Sequence, residues 1–210
     1  MRPKYWGLPS YGESIMKILL DHKLTIIAGF VLTAVLIAVA TATGGGLSGD
    51  QMLGAVSRWG HFLAGITWIG LLYYFNFVQV PSLGGVSAET KADLFKEGSI
   101  VRRALFWFRF AAMATVFFGL LLLMGLWKTG GASAISMDIM IGATFGIIMW
   151  INVAFIIWPN QKKVIGIDEA SADEKAAAGK KALMASRINT LLSIPMLFFM
   201  ASSAHFPIFN

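Results

Sequence analysis

The sequence WGHFLAGITWIGLLYYFNFVQV, residues 59–80, is long and apolar enough to cross a lipid bilayer as one helix. Similar stretches occupy residues 24–42, 104–127, 137–158 and 188–206. Each has roughly 20 residues, the length that spans a hydrocarbon core of about 30 Å. Apolar residues make up 57% of the chain, and charged residues only 13%. The sequence therefore predicts an all-α integral membrane protein with five transmembrane helices.

Lysine and arginine concentrate in alternate connections between the predicted spans. They precede the first span, and they lie between the second and third and between the fourth and fifth. The remaining connections, residues 43–57 and 128–136, contain only Lys128. By the positive-inside rule, this pattern predicts a bacterial inner-membrane protein with a cytoplasmic N-terminus and a periplasmic C-terminus. Topology accounts for the net charge of +6, so we expect no nucleic-acid partner.

The predicted organisation has three parts. Residues 1–23 form a cytoplasmic segment with a short interfacial helix, residues 24–206 form a single five-helix transmembrane domain, and residues 207–210 form an outer tail. The polar side chains of the first span are all threonines, so we expect this helix to lie peripherally and face lipid. Spans two to five carry small and polar residues, which favours a four-helix bundle. The sequence shows no convincing internal repeat, and residues 164–187 indicate a solvated helix or loop.

Two histidines lie near the predicted outer face, one near the start of the second span and one near the end of the fifth. The topology places His61 and His205 at similar depth, and small residues lie one turn from each. A pair of neutral imidazoles with such clearance suits the iron of a haem. Asp138, at the start of span four, is a possible third ligand for copper or another metal. In the alternative interpretation, both histidines hydrogen-bond to water or backbone at the membrane interface.

The chain contains no cysteine. Thiolate ligands hold iron–sulfur clusters, and cysteines attach c-type haem covalently, so neither cofactor is expected. Any haem in this protein is therefore of the non-covalently held b type.

A second polar group gathers towards the predicted cytoplasmic face. A guanidinium among carboxamides and indoles suits a planar, anionic, hydrogen-bonding ligand. In the alternative interpretation, the same groups hydrogen-bond helix to helix, each bond contributing about 0.6–2 kcal/mol. The candidate substrate-binding residues are Asn76, Trp107, Arg109, Trp150, Asn152, Arg187 and Asn189.

Short motifs recur in order along the spans: HFLAGITWIG at 61–70, WFR at 107–109, WIN at 150–152 and RIN at 187–189. With His205, they resemble the membrane domain of the bacterial cytochrome-c-coupled urate hydroxylases, the urate oxidase N-terminal domain. The resemblance spans about residues 58–206. It implies a membrane protein that oxidises urate and passes electrons to cytochrome c. Members of that family carry a C-terminal c-type cytochrome, which this sequence lacks, so a separate cytochrome c is the expected acceptor.

Two functions from different classes follow. In the first, the protein is an oxidoreductase that binds urate near Arg109 and passes electrons through a haem b between His61 and His205. In the second, it is a non-catalytic accessory subunit of a larger respiratory or photosynthetic membrane complex. A transporter is disfavoured, because few charges line the predicted bundle and no inverted repeat is visible.

Overall fold

The computed structural model describes residues 10–44 and 46–209, and within these ranges it contains helices and no β-strand. Residues 1–9 of the predicted N-terminal segment, and Asn210 of the predicted tail, lie outside the described residues. Helices long and apolar enough to cross a membrane are His22–Thr43, Gly49–Leu83, Ile100–Ala134, Met137–Val164 and Ala172–His205. The predicted fold class is confirmed, and the protein is a multi-pass membrane protein.

Contacts within the chain divide it into two units, Met1–Met52 and Leu53–Asn210. In the first unit, α1 (Ser10–Leu20) precedes α2 (His22–Thr43). Asp21 separates them as an N-cap, because its carboxylate accepts from the backbone N–H groups of Lys23 at 2.8 Å and Leu24 at 3.3 Å. These hydrogen bonds, led by that of Leu24, hold the pKa of Asp21 below its ordinary value. No residue of α2 is buried.

The remaining elements follow in chain order, and all but the start of α3 belong to the second unit. They are α3 (Gly49–Tyr73), the π-helix π1 (Tyr74–Gln79), α4 (Val80–Leu83), α5 (Ala88–Phe95), α6 (Ile100–Gly130), a 3₁₀ turn (Gly131–Ala134), α7 (Met137–Ile151), the π-helix π2 (Asn152–Ile157), α8 (Trp158–Val164) and α9 (Ala172–His205).

The last span begins much earlier than its apolar stretch. Ser171 and Glu174 form a capping box: the serine hydroxyl accepts from the backbone N–H of Glu174 at 3.3 Å, and the glutamate accepts from that of Ser171 at 2.8 Å. From this start α9 runs without a break to His205. Residues 172–187 of the predicted solvated helix or loop are therefore helical and continuous with the fifth span.

Two spans contain the same interruption. π1 follows α3 and π2 follows α7, and each leads into a short α-helix with a proline in its first turn, Pro81 or Pro159. Because proline has no N–H, it cannot continue the regular ladder, and a wider turn accommodates it. The separation between the two π-helices along the chain equals that between the two prolines and that between Arg109 and Arg187.

The core of the second unit lies where spans two to five pack together. α9 contacts α7, π2 and α8 along much of its length and reaches π1. α3, α6 and α7 supply large side chains that are at most 1% exposed: Trp68, Leu72, Phe108 and Met149. The four-helix arrangement places the histidine and arginine side chains at opposite ends of this core.

Candidate functional site

His61 is held in one orientation by α6. Its Nδ1 lies 2.9 Å from the backbone carbonyl oxygen of Thr115. Since a carbonyl only accepts, Nδ1 carries the proton in this contact, and Nε2 of the neutral ring keeps its lone pair. The ring also lies close to the backbone of Gly119, where a Cβ would stand 3.1 Å from His61 Cε1. Such an anchored imidazole is arranged like a metal ligand whose other nitrogen is fixed by the protein.

The surroundings of His61 are packed on the side of α6. A Cβ built on Gly65, one turn along α3, would stand 3.9 Å from a methyl group of Thr115, an ordinary van der Waals distance. The half-buried His61 ring therefore has one anchored nitrogen, Nδ1, and a second nitrogen, Nε2, that remains available as a ligand.

His205 has a different environment. It lies at the C-terminal end of α9 and is exposed, and no hydrogen bond to its ring occurs among the described residues. Its ring nitrogens are free to bind iron, yet no hydrogen bond joins it to His61. Residues 10–44 and 46–209 contain no group of three or more His, Asp or Glu side chains placed to hold a metal ion. The haem and the metal site stay predictions.

The predicted asparagine side chains form hydrogen bonds between helices. Asn152 Nδ2 donates to Asn189 Oδ1 at 2.8 Å, and Asn189 Nδ2 donates to the carbonyl of Met149 at 2.9 Å. Asn76 Nδ2 donates to the hydroxyl of Ser186 at 2.8 Å. These bonds connect α9 to the regions of both π-helices, so these amides act as helix-to-helix contacts in this structure.

Arg109 lies apart from these amides and stacks on an aromatic ring. Its Cζ is 3.7 Å from the ring centroid of Trp158 and 4.9 Å from that of Phe110. Its Nη1 is buried and has no hydrogen-bond partner in the described part of the chain. A buried guanidinium N–H without an acceptor is costly, so this atom is suited to receive an anionic oxygen.

A pocket of about 150 Å³ opens at this guanidinium. Arg102 lies at its rim, donating through Nε to the carbonyl of Phe95 at 3.0 Å and through Nη2 to that of Ile165. No carboxylate or histidine lines the pocket, so it offers positive charge and a flat aromatic surface but no general base. The lining residues are Arg102, Leu105, Phe106, Arg109, Trp158, Ile165 and Ile167.

The sequence did not identify two of these lining residues, Arg102 and Trp158, as candidates for a site. The four α6 residues of the pocket follow the i, i+3, i+4, i+7 pattern of one helix face, which is the signal that identifies Arg102 as a neighbour of Arg109. Trp158 comes from another span, and no local pattern links it to α6.

The other predicted substrate-binding residues do not line this pocket. Trp107 is 54% exposed, and Arg187 is also exposed. Trp150 is half-buried and meets Phe155 edge-on, with ring centroids 6.4 Å apart. The structure thus divides the predicted group into a pocket at Arg109, a set of interhelical amides and exposed side chains.

Comparison with known proteins gives one match. Residues 111–210 match the family model described as urate oxidase N-terminal. No match was found among curated proteins or among solved structures. The matched segment begins within α6, just after Arg109, and includes Asp138, Trp158 and His205.

Proposed function

We propose that this membrane protein oxidises urate and passes the electrons to a cytochrome c, because residues 111–210 match the urate oxidase N-terminal family model. The family match is the observation that carries the proposal. Hydroxylation of urate by water releases two electrons and two protons, and two molecules of oxidised cytochrome c take up the electrons. We further propose that the protein resides in a bacterial inner membrane with its basic side in the cytoplasm, as the lysine and arginine distribution supports.

The proposed substrate site is the pocket at Arg109. Urate is planar and anionic at neutral pH, so it matches the positive charge of the Arg109 guanidinium and the flat aromatic ring of Trp158 in the pocket lining. The lining residues bind and orient the substrate, and since none of them is a general base, water is the proton acceptor.

The proposed cofactor is a haem b that His61 and His205 would hold through their ring nitrogens. Bound haem would supply one-electron transfer, which links a two-electron oxidation to a one-electron acceptor. His61 supports this assignment through its Nδ1 contact with Thr115, which leaves Nε2 for iron.

The test is urate-dependent reduction of cytochrome c by the purified protein in lipid nanodiscs after reconstitution with haem. Arg109→Gln removes a charged hydrogen bond of about 1.5–3 kcal/mol, so KM for urate should rise roughly 10- to 150-fold. Arg103→Gln is the matched control, because Arg103 is exposed on the same helix and lies outside the pocket. If the haem-loaded protein reduces no cytochrome c with urate, or if both variants behave alike, the proposal is wrong.

The second candidate is an accessory transmembrane subunit of a larger respiratory or photosynthetic complex. Two observations favour it: α2 presents apolar side chains with none buried, and the pocket lacks acid–base groups. Isolation from native membranes in a mild detergent distinguishes the two. Co-purification with a larger redox complex, without urate oxidation, would support the accessory role.

A further inference from the structure

The carboxylate of Asp138 is fully buried at the start of α7. An anion in this position is costly unless donors satisfy it. Its Oδ1 accepts from the hydroxyl of Ser202 at 2.6 Å and from the backbone N–H of Ile208 at 3.3 Å. Its Oδ2 accepts from the backbone N–H of Phe209 at 3.1 Å. Both oxygens are therefore engaged by the end of α9 and the residues that follow it.

These donors lie on both sides of His205 in the sequence. Ser202 precedes it by nearly one helical turn, and Ile208 and Phe209 follow it. Ring contacts hold the same segment: Phe206 meets Phe198 with centroids 5.7 Å apart, and Phe209 stacks on Phe199 at 6.3 Å. The backbone that carries His205 is thus fixed from two directions, while the imidazole itself is exposed.

We propose that Asp138 is the positioning residue for His205. This inference rests on the proposed function, in which His205 binds haem iron. Asp138 acts through hydrogen bonds to the flanking backbone and hydroxyl, which engage both of its oxygens. Fixing the backbone before iron binds reduces the conformational freedom that the imidazole must lose on ligation.

The first measurement follows the backbone and needs no cofactor. Because the chain has no cysteine, Ala204→Cys gives a single site for a nitroxide label on an exposed residue beside His205. We expect an immobile spectrum for the otherwise unsubstituted protein in nanodiscs. Added Asp138→Ala or Ser202→Ala should shift the spectrum towards the mobile component. Ser203→Ala is the matched control, because its hydroxyl bonds to the carbonyl of Met200 within α9.

The second measurement follows the ligand field in haem-loaded protein without the label. Ser202→Ala and Asp138→Asn should convert part of the low-spin bis-histidine signal in electron paramagnetic resonance to high spin and shift the midpoint potential. Ser203→Ala should leave both unchanged. Asp138→Glu keeps the charge, so it should restore more of the low-spin signal than Asp138→Asn does.

The outcomes separate this inference from the proposed function. Equal label mobility in all variants would show that Asp138 and Ser202 do not fix the backbone around His205. Increased mobility with an unchanged haem spectrum would show that His205 is not positioned by Asp138. Absence of a Soret band in the unsubstituted protein would overturn the haem assignment, and the positioning role with it. If Asp138→Ala fails to fold, Ser202→Ala alone, which removes one donor, decides the result.

Discussion

Asn189 shows how a single polar residue connects two spans in this protein. Its side chain is 0% exposed, its Oδ1 accepts from Asn152, and its Nδ2 donates to the carbonyl of Met149. Within a hydrocarbon environment, no water replaces either partner if one is removed. The residue therefore stabilises the packing of α9 against α7 and π2.

Replacing Asn189 by leucine should lower the free energy of unfolding by about 1–3 kcal/mol, because two hydrogen bonds are lost and the amide of Asn152 is left without an acceptor. Asn160→Leu is the control, because its amide bonds to the carbonyl of Ile156 within its own span, at 2.7 Å. Reversible unfolding in mixed micelles measures both. Equal losses for the two variants would contradict an interhelical role for Asn189.

At the residue scale, the sequence identified which polar residues lie within the spans better than it identified the groups that they contact. It singled out the amides and Arg109, because polar side chains within apolar spans are conspicuous, but it placed them in one group that the structure divides. It could not predict that Asn152 would bond to Asn189 while Arg109 stacked on Trp158. Those choices depend on how four helices rotate about their axes, which no local pattern fixes.

At the scale of elements, α3 accommodates a phenylalanine ring of α6 because one of its positions is glycine. A Cβ on Gly60 would stand 2.8 Å from ring atoms of Phe118. A Cβ on Gly70, on the same helix, would meet no atom within 4 Å. Position 60 therefore has no room for a larger side chain, whereas position 70 does, although both glycines lie in the same apolar stretch.

Gly60→Ala should destabilise the protein by about 1–3 kcal/mol through overpacking against Phe118. Gly70→Ala should change stability by about 0.5 kcal/mol or less, as expected for an open site. Thermal or denaturant unfolding in the same detergent compares them. Combining Gly60→Ala with Phe118→Leu should recover part of the loss, and a strictly additive double variant would count against this packing.

The positions of the helices were predictable where the length of an apolar stretch is sufficient to define a span. All five spans were found, because about 20 apolar residues have few alternatives to a transmembrane helix. The early start of α9 was missed, since residues 172–187 are polar and continue the helix through the capping box at Ser171. The π-helices were also missed, because they depend on the geometry of the turns before each proline.

At the scale of the whole molecule, the alternation of charge in the connections predicts which ends share a side of the membrane. α5 and the segment before α9 lie on the basic side, together with the Arg109 pocket. The turn Gly131–Ala134 and the end of α9 belong to the other side by this rule.

Single cysteines in this cysteine-free chain test the topology directly. Ser133→Cys lies in the exposed turn between α6 and α7, and Glu89→Cys lies on the exposed surface of α5. In intact cells whose outer membrane has been made permeable, a membrane-impermeant maleimide should label Ser133→Cys alone. Glu89→Cys should react only after the inner membrane is disrupted. Labelling of Glu89→Cys in intact cells would reverse the proposed orientation.

Each π-helix adds one residue to a helical turn and thereby changes the relative direction of the side chains before and after it. One extra residue in a helical turn rotates every side chain on one side of it by about 100° relative to those on the other side. In the second span, π1 therefore sets the angular phase between His61, which contacts α6, and the residues beyond Gln79. Deleting one residue from π1 would change this phase by about 100° without altering any contact residue. Insertion or deletion of a single residue at either π-helix therefore changes which faces of the helices pack together. A substitution at the same position does not have this effect.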